Sequence, residues 1–95
     1  MLRVPGNGYR LDILEWLRAP AEHFPSEGRG DLREDGVSPE SLARKLGVSR
    51  AAARSHLDLL ARVGLLRAEK VGRRTYYRRD EYRIAEVGHF FEKGW

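Results

Sequence analysis

The chain has 95 residues, of which 41% are hydrophobic and 34% charged, and it contains no cysteine. A chain of this length folds as one small domain with a modest core, which excludes a large α/β catalytic domain. Without cysteine there can be no disulfide, thiolate metal site or thiol nucleophile. No stretch approaches the roughly 18 apolar residues of a membrane helix and the N-terminus lacks a signal-peptide core, so we expect a cytoplasmic protein with no membrane partner.

The net charge of +4 is distributed unevenly along the chain. Residues 1–36 carry −2, residues 37–79 carry +8 and residues 80–95 carry −2. A coding bias would explain why arginine outnumbers lysine, but it would not explain why the basic residues are concentrated in the middle segment. This segregation predicts a polyanion as the partner of residues 37–79.

The first predicted helix covers residues 9–18, where YRLDILEWLR contains no helix breaker. Its apolar residues occupy more than one face, which predicts a helix contacted on two sides. Residues 19–36 are rich in proline and glycine and predict a loop. Such a long loop is functional, mobile, or pinned to the core by Phe24 and Leu32.

Two helices are predicted next, with well-defined ends. Ser38 is an N-cap ahead of Pro39 at the first helical position, and Gly47 suits the left-handed position after the last turn. Ser49 then caps a second helix, which Gly64 ends. Short helices joined by a tight, glycine-containing turn have helix-turn-helix spacing.

A hairpin and a last helix complete the predicted chain. Residues 65–70 and 74–79 have strand composition, and residues 71–73 form a tight turn between them. Asp80 caps a helix that begins at Glu81. The fold class is therefore mainly α with a small β-hairpin, a winged helix-turn-helix. Its predicted parts are a first helix (9–18), a long loop (19–36), the helix-turn-helix (38–64), the wing (65–79) and a C-terminal dimerisation helix (80–95).

The second helix of the motif separates polar from apolar residues when it is drawn at about 100° per residue. Its exposed arc begins at the helix N-terminus, where side chains and N–H groups can reach phosphates or base edges. Charged helix faces are usually only solvated, but Arg50 and Arg54, at i and i+4 beside the cap, favour contact with DNA. The predicted apolar arc comprises Ala52, Ala53, His56, Leu57, Leu59, Leu60 and Val63.

The hairpin tip is also basic, with Arg78 and Arg79 farther back. Tips of this kind commonly lie against the DNA backbone or in the minor groove. Tyr76 and Tyr77 either stack on bases or pack against the hydrophobic layer, as strand tyrosines more often do. The predicted DNA-binding residues are Ser49, Arg50, Ala51, Arg54, Ser55, Lys70, Arg73 and Arg74.

The histidines give little indication of a metal site. His56 lies in the apolar arc and is expected to be a core residue bonded to a backbone group, and His89 is expected to be solvated. A site at His23, among the carboxylates of the long loop, is conceivable, but one histidine with scattered carboxylates is a weak metal pattern. We predict no metal and no other cofactor.

The last helix carries an apolar stripe at i, i+3, i+7 and i+11. The stripe either covers the core of the same chain or forms a two-fold interface together with the outer face of the first helix. We expect a homodimer. The predicted interface residues are Leu11, Leu14, Ile84, Val87, Phe91 and Trp95.

Residues 40–80 resemble the ArsR/SmtB family of bacterial repressors. The likeness is carried by LARKLGVS, SHL, LARVGLL and GRRTYYR in combination, with weaker support from RLDILEWL in the first helix. The resemblance implies a homodimeric winged helix that occupies a DNA operator and is released by an effector.

The chain departs from the family pattern at the recognition helix and at the metal sites. Family members often read Ser-Gln-Ser/Pro-Thr-Val-Ser-Arg/His-His-Leu there; Ser49, His56 and Leu57 match, and residues 50–55 differ. The difference affects the expected target sequence and not the expectation of DNA binding. The metal-binding positions of the family hold Ser41, Leu42 and Ala43 before the turn, and Tyr82 and Lys93 in the last helix.

Three classes of function compete. The first is a DNA-binding transcriptional regulator, and the second is a winged-helix module that binds proteins without DNA readout. The basic recognition helix and wing favour the first. An enzyme is not expected, because Glu15, Glu81 and Glu86 are not grouped with a base, a nucleophile or a phosphate loop.

Overall fold

The computed structural model describes residues 7–26 and 32–90, and the side chains of residues 9–26 and 32–86. Its order of helices and strands confirms the predicted winged helix-turn-helix, mainly α with one hairpin. The elements are α1 (Asn7–Trp16), a 3-10 helix (Pro20–Glu22), α2 (Leu32–Asp35), α3 (Pro39–Leu46), α4 (Arg50–Arg62), β1 (Leu66–Val71), β2 (Arg74–Arg79) and α5 (Glu81–Phe90). Among these helices, none has the length and apolar character needed to cross a bilayer.

The ends of α3 follow the predicted local chemistry. The Ser38 hydroxyl accepts a hydrogen bond from the Ser41 backbone N–H at 3.3 Å, and Pro39 occupies the first turn. At the other end Gly47 has φ +71°, and its N–H donates to the Ala43 carbonyl at 2.9 Å. These contacts satisfy backbone groups that a helix end leaves without intrahelical partners.

The ends of α4 are also as predicted. The Ser49 hydroxyl accepts from the Ala52 N–H at 3.1 Å, and Gly64 after the helix has φ +87°. Ala53, Leu57 and Leu60 face the core. The predicted apolar arc is wrong at Val63, which is 52% exposed. At about 100° per residue, Val63 lies about 60° or more from each of the three buried residues of α4, so it falls at the edge of the core-facing side.

The wing is a two-stranded antiparallel hairpin in which Leu66 is opposite Arg79 and Val71 is opposite Arg74. Gly72 in the turn has φ +64°, which glycine adopts without the steric cost of a Cβ. The first strand begins one residue later than predicted and extends through Val71, while the second has its predicted bounds. A hairpin alone is marginal in water, so the wing depends on packing against the helices.

The wing is also joined to the segment before α3. Val37 and Tyr77 form an antiparallel bridge, in which each backbone N–H donates to the other residue's carbonyl with N to O distances of 2.8 and 2.9 Å. Gly36 has φ +94°, and a Cβ at this position would lie 2.9 Å from backbone atoms of Tyr77. Only glycine allows the chain to approach β2 this closely.

The predicted long loop contains the 3-10 helix and α2, so it is not structureless within the residues that are described. Phe24 and Leu32 are both buried in the core, as the pinned alternative for this loop requires. The Phe24 ring also meets Trp16 edge-on, with ring centroids 6.3 Å apart. Burial of Phe24 and Leu32 holds the described parts of the loop on the core, with Phe24 against α1 and α2 against β2.

The core includes two of the residues expected at the dimer interface. Within the single chain Ile13, Leu14 and Leu17 of α1 face the core while Leu11 is 56% exposed, so the second contacted side of α1 stays a prediction. Leu14 and Ile84, predicted at the dimer interface, are buried in the core of the chain itself, because a domain this small needs them to complete its own core. The other predicted interface residues, Val87, Phe91 and Trp95, lie outside the described side chains. The dimer interface therefore stays a prediction.

Candidate nucleic-acid interface

All eight residues predicted to bind DNA are exposed. The α4 residues follow the N-cap on the outer side of the helix, and the wing residues surround the hairpin turn. We call the first set, Ser49, Arg50, Ala51, Arg54 and Ser55, the recognition face. We call the second set, Lys70, Arg73 and Arg74, the wing tip.

Arg50 at the start of α4 is paired with Glu40 in the first turn of α3. Its Nε lies 2.6 Å from Glu40 Oε2, while the Arg50 side chain remains 61% exposed. Burial raises the pKa of Glu40, but its own backbone N–H, the Arg50 charge, the Ser38 hydroxyl and the Arg74 charge together hold that pKa below its usual value. Glu40 is therefore a stable anion positioned between the recognition face and the wing tip.

Arg54, one turn farther along α4, is paired with Asp58 on the same helix. Its Nε lies 3.5 Å from Asp58 Oδ2. The other oxygen, Asp58 Oδ1, accepts a hydrogen bond from the Tyr77 hydroxyl of β2. Burial, this hydrogen bond and the Asp58 charge raise the pKa of Tyr77 to about 12. Asp58 thus connects the recognition helix to the wing.

The tyrosines and the rear arginines of the wing have structural contacts. Tyr76 and Tyr77 are buried, so the packing alternative is confirmed and neither ring is available to stack on bases. Arg78 lies 3.7 Å from Glu69. Arg79 is nearly buried, donates to the Leu14 carbonyl at 2.8 Å and pairs with Glu81 at 2.9 Å. Its role is to hold β2 against α1 and α5.

A groove of about 540 Å³ runs along the recognition face beside α1. It adds two arginines that were not predicted as DNA contacts, Arg10 of α1 and Arg62 at the end of α4. The helical repeat already placed Arg62 on the exposed arc, but only the packing of α1 against α4 brings Arg10 to this surface. The groove is lined by Arg10, Ala51, Arg54, Ser55, His56, Asp58, Leu59 and Arg62.

A second open depression, of about 680 Å³, lies between α2, the hairpin and α5. Arg78 pairs with Glu69 and Arg79 with Glu81 in it, and its four carboxylates outnumber its three arginines by one. Nothing in the sequence pattern indicated this depression. Its lining comprises Leu17, Arg33, Glu34, Asp35, Glu69, Arg78, Arg79 and Glu81.

The described histidines contact aromatic rings. His56 is half-buried and meets the Tyr9 ring edge-on at 5.4 Å, in place of the backbone bond that we expected. The His23 ring lies 6.2 Å from that of Trp16. Within residues 7–26 and 32–90, no three His, Asp or Glu side chains are grouped so that they could hold a metal ion. The side chain of His89 lies outside the described residues.

The sequence and the fold are similar to those of known proteins. Residues 30–69 match a family described as a helix-turn-helix domain. The chain is 40% identical over 93 residues to the uncharacterized HTH-type transcriptional regulator YbzH of Bacillus subtilis (strain 168), an alignment covering 97% of this chain and 92% of that protein.

One solved structure agrees with the sequence relative. An ArsR-like transcriptional regulator from Rhodococcus sp. RHA1 superposes with a TM-score of 0.51 at 29% identity, over 94% of this chain and 81% of that one. Human N-acetylserotonin methyltransferase aligns with 79% of this chain at 19% identity and a TM-score of 0.48, and the chain spans 21% of its length. The relatives from Bacillus subtilis and Rhodococcus, together with the winged architecture, establish the family. The chain belongs to the ArsR-type winged helix-turn-helix transcriptional regulators, which are DNA-binding proteins.

Proposed function

We propose that the protein is a homodimeric, sequence-specific repressor in which α4 enters the major groove and the wing tip contacts the DNA backbone. The observation that carries this proposal is the contact of Arg50 Nε of α4 with Glu40 at 2.6 Å, and the Arg74 charge of the wing contributes to lowering the pKa of the same carboxyl. These interactions favour an arrangement in which the two basic elements face one side of the molecule. A duplex on that side would meet both.

The two elements have different roles in this proposal. Arg50 and Arg54 lie near the N-terminus of α4, the part of a recognition helix that contacts base edges, and each guanidinium can bind guanine O6 and N7. Arg73 lies in the turn beside Gly72 and Arg74 begins β2, and an exposed hairpin tip suits contact with phosphates and not base readout. Arg10 and Arg62 in the groove would add phosphate contacts on either side of the recognition face.

A homodimer would place two copies of α4 in successive major grooves about 34–36 Å apart, which requires a roughly palindromic operator. Exposed apolar side chains support an interface built from α1 and α5. Leu11 is 56% exposed, Tyr82 is 81% exposed and Tyr9 is 36% exposed, so both helices present apolar or aromatic side chains to solvent. An effector would release the repressor by favouring a dimer geometry in which the helices no longer match the groove spacing.

The decisive experiment is selection of binding sites from a pool of random duplexes with the purified protein. We expect enrichment of an inverted repeat, with affinity for the enriched duplex falling on the order of 10³-fold between 50 and 200 mM salt. A scrambled duplex of equal composition is the control. Absence of any enriched sequence, or binding that does not respond to salt, would contradict the proposal and favour a protein-binding module.

A further inference from the structure

Both arginines of the recognition face are held through the same atom. Arg50 Nε lies 2.6 Å from Glu40 Oε2, and Arg54 Nε lies 3.5 Å from Asp58 Oδ2. A guanidinium has five N–H donors in a rigid plane, of which Nε provides one. A contact at Nε therefore restrains the plane, while side-chain exposures of 61% for Arg50 and 50% for Arg54 leave each guanidinium accessible to a second partner.

Each carboxylate is in turn fixed by a hydroxyl group from a buried residue. The Tyr77 hydroxyl donates to Asp58, and Ser38, the cap of α3, hydrogen-bonds to Glu40. Tyr77 and Ser38 are each 1% exposed, so their side chains are immobilised by packing. In each case a buried hydroxyl group therefore fixes a carboxylate, and that carboxylate restrains a half-exposed arginine.

We propose that Glu40 and Asp58 are positioning residues that orient Arg50 and Arg54 for reading base edges. The inference rests on the proposed DNA readout and deepens it by assigning which side chains set its specificity. An unrestrained arginine loses rotamer freedom when it binds, and a correctly oriented one loses less, so preorganisation favours the one base whose geometry fits. The guanine O6 and N7 atoms are a bidentate match for the free end of the guanidinium.

The same carboxylates also oppose DNA binding in general. Each adds a negative charge beside a surface that must approach phosphates. Removing the charge should therefore strengthen binding to every sequence, while removing the restraint should weaken discrimination between sequences. The first effect raises the affinity for every duplex, and the second lowers the ratio of affinities between the selected duplex and its variants. A residue with only a structural or repulsive role would not produce both.

The test uses single-base-pair variants of the duplex that the full-length protein selects. The primary variants are Glu40→Ala, which removes the acceptor, and Glu40→Gln, which keeps a neutral acceptor oxygen. Asp58→Asn is the change at the partner of Arg54, and like Glu40→Gln it removes the charge but keeps a neutral acceptor oxygen. Glu69→Gln is the matched control, since Glu69 also pairs with an arginine and, by strand register, lies on the face of the hairpin opposite Tyr77.

We expect Glu40→Ala to bind scrambled duplex about two- to threefold more tightly, because one repulsive charge is lost. Its discrimination at a single base pair of each half-site should fall about three- to tenfold, a large share of the preference that one bidentate arginine provides. Glu40→Gln should retain part of that discrimination. Asp58→Asn should relax a different base pair, because Arg54 lies one helical turn, about 5–6 Å, from Arg50.

Thermal unfolding followed by circular dichroism shows whether each variant remains folded at the binding temperature. If folded Glu40→Ala keeps the wild-type discrimination at every base pair, as Glu69→Gln is expected to do, the positioning role is wrong and the proposed function stands. A uniform gain in affinity without loss of discrimination would likewise overturn it and leave Glu40 as a repulsive charge only. If the wild-type protein enriches no sequence, both the proposed function and the positioning role fail.

Discussion

The Tyr77 hydroxyl on β2 donates a hydrogen bond to the Asp58 carboxylate on α4, across 19 positions of sequence. Tyr77 also bridges Val37 through its backbone, so one residue contacts the segment before α3, the wing and the recognition helix. Its side chain is 1% exposed. Tyr77 therefore helps to fix the orientation of the wing relative to α4, together with the core packing of Leu57, Leu60 and Leu66.

We expect Tyr77→Phe to destabilise the fold by about 1–2 kcal/mol, since the ring is kept but Asp58 loses a hydrogen-bond donor. Asp58 keeps its contact with Arg54, which limits the cost. Urea unfolding at neutral pH measures the change. Tyr82→Phe is the control, because Tyr82 is 81% exposed and should be neutral. Equal stability of wild type and Tyr77→Phe would show that the hydrogen bond contributes nothing.

Alkaline pH should remove the stabilisation that Tyr77 provides. Its pKa in the fold is about 12, above the ordinary tyrosine value of 10.0 that applies to the unfolded chain, so the folded state retains the phenol proton more strongly. The contribution is complete below pH 10 and is lost as the pH rises through 12, by at most about 3 kcal/mol. The free energy of unfolding should be measured from pH 9 to 12 for wild type and Tyr77→Phe. The difference between the two should shrink over this range; a constant difference would contradict the shifted pKa.

Arginines of the recognition face and of the wing tip should differ in what they contribute to binding. Arg50→Ala and Arg54→Ala should each cost about 1–3 kcal/mol on the selected duplex and little on a scrambled one. Arg73→Ala and Arg74→Ala should weaken both duplexes alike and make the salt dependence shallower. Titration of both duplexes at several salt concentrations separates the roles. Identical behaviour of the four variants would refute the division.

Substitutions at two apolar positions of α1, one exposed and one buried, should distinguish loss of the dimer from loss of the fold. Leu11 is 56% exposed whereas Leu14 is buried, so Leu11→Glu should leave the monomer folded and weaken the dimer, while Leu14→Glu should unfold the chain. Sedimentation equilibrium and circular dichroism measure the two outcomes. If wild type sediments at about 10.9 kDa at micromolar concentration, the homodimer proposal is wrong.

Gly36 should be far less tolerant of alanine than Gly47, although both have positive φ. A Cβ at Gly36 would lie 2.9 Å from Tyr77 backbone atoms, whereas nothing lies within 4 Å of a Cβ at Gly47. Gly47→Ala should cost about 1–2 kcal/mol for the left-handed backbone alone. Gly36→Ala should cost at least about 1 kcal/mol more in thermal or urea unfolding, because the bridge to β2 must also shift. Equal costs would mean that the backbone moves away freely.

The features that the sequence alone determined are those whose contacts are local. The cap hydroxyls of Ser38 and Ser49 accept a hydrogen bond from an N–H three residues later. Gly47 and Gly72 adopt a positive φ, which their lack of a Cβ permits. Short-range chemistry of this kind, together with hydrophobic periodicity, was sufficient to predict the helix-turn-helix, the hairpin and the exposure of the recognition face.

Only the tertiary structure decided which distant residues meet. The pairing of Glu40 with Arg50, the contact of Tyr77 with Asp58 and the approach of Arg10 to the groove each join different elements of the fold. Periodicity identifies the apolar side of a helix but not what covers it, so it could not show that the protein's own core buries Leu14 and Ile84. Long-range contacts depend on how the elements pack together, and that packing is a property of the whole chain and not of any local segment.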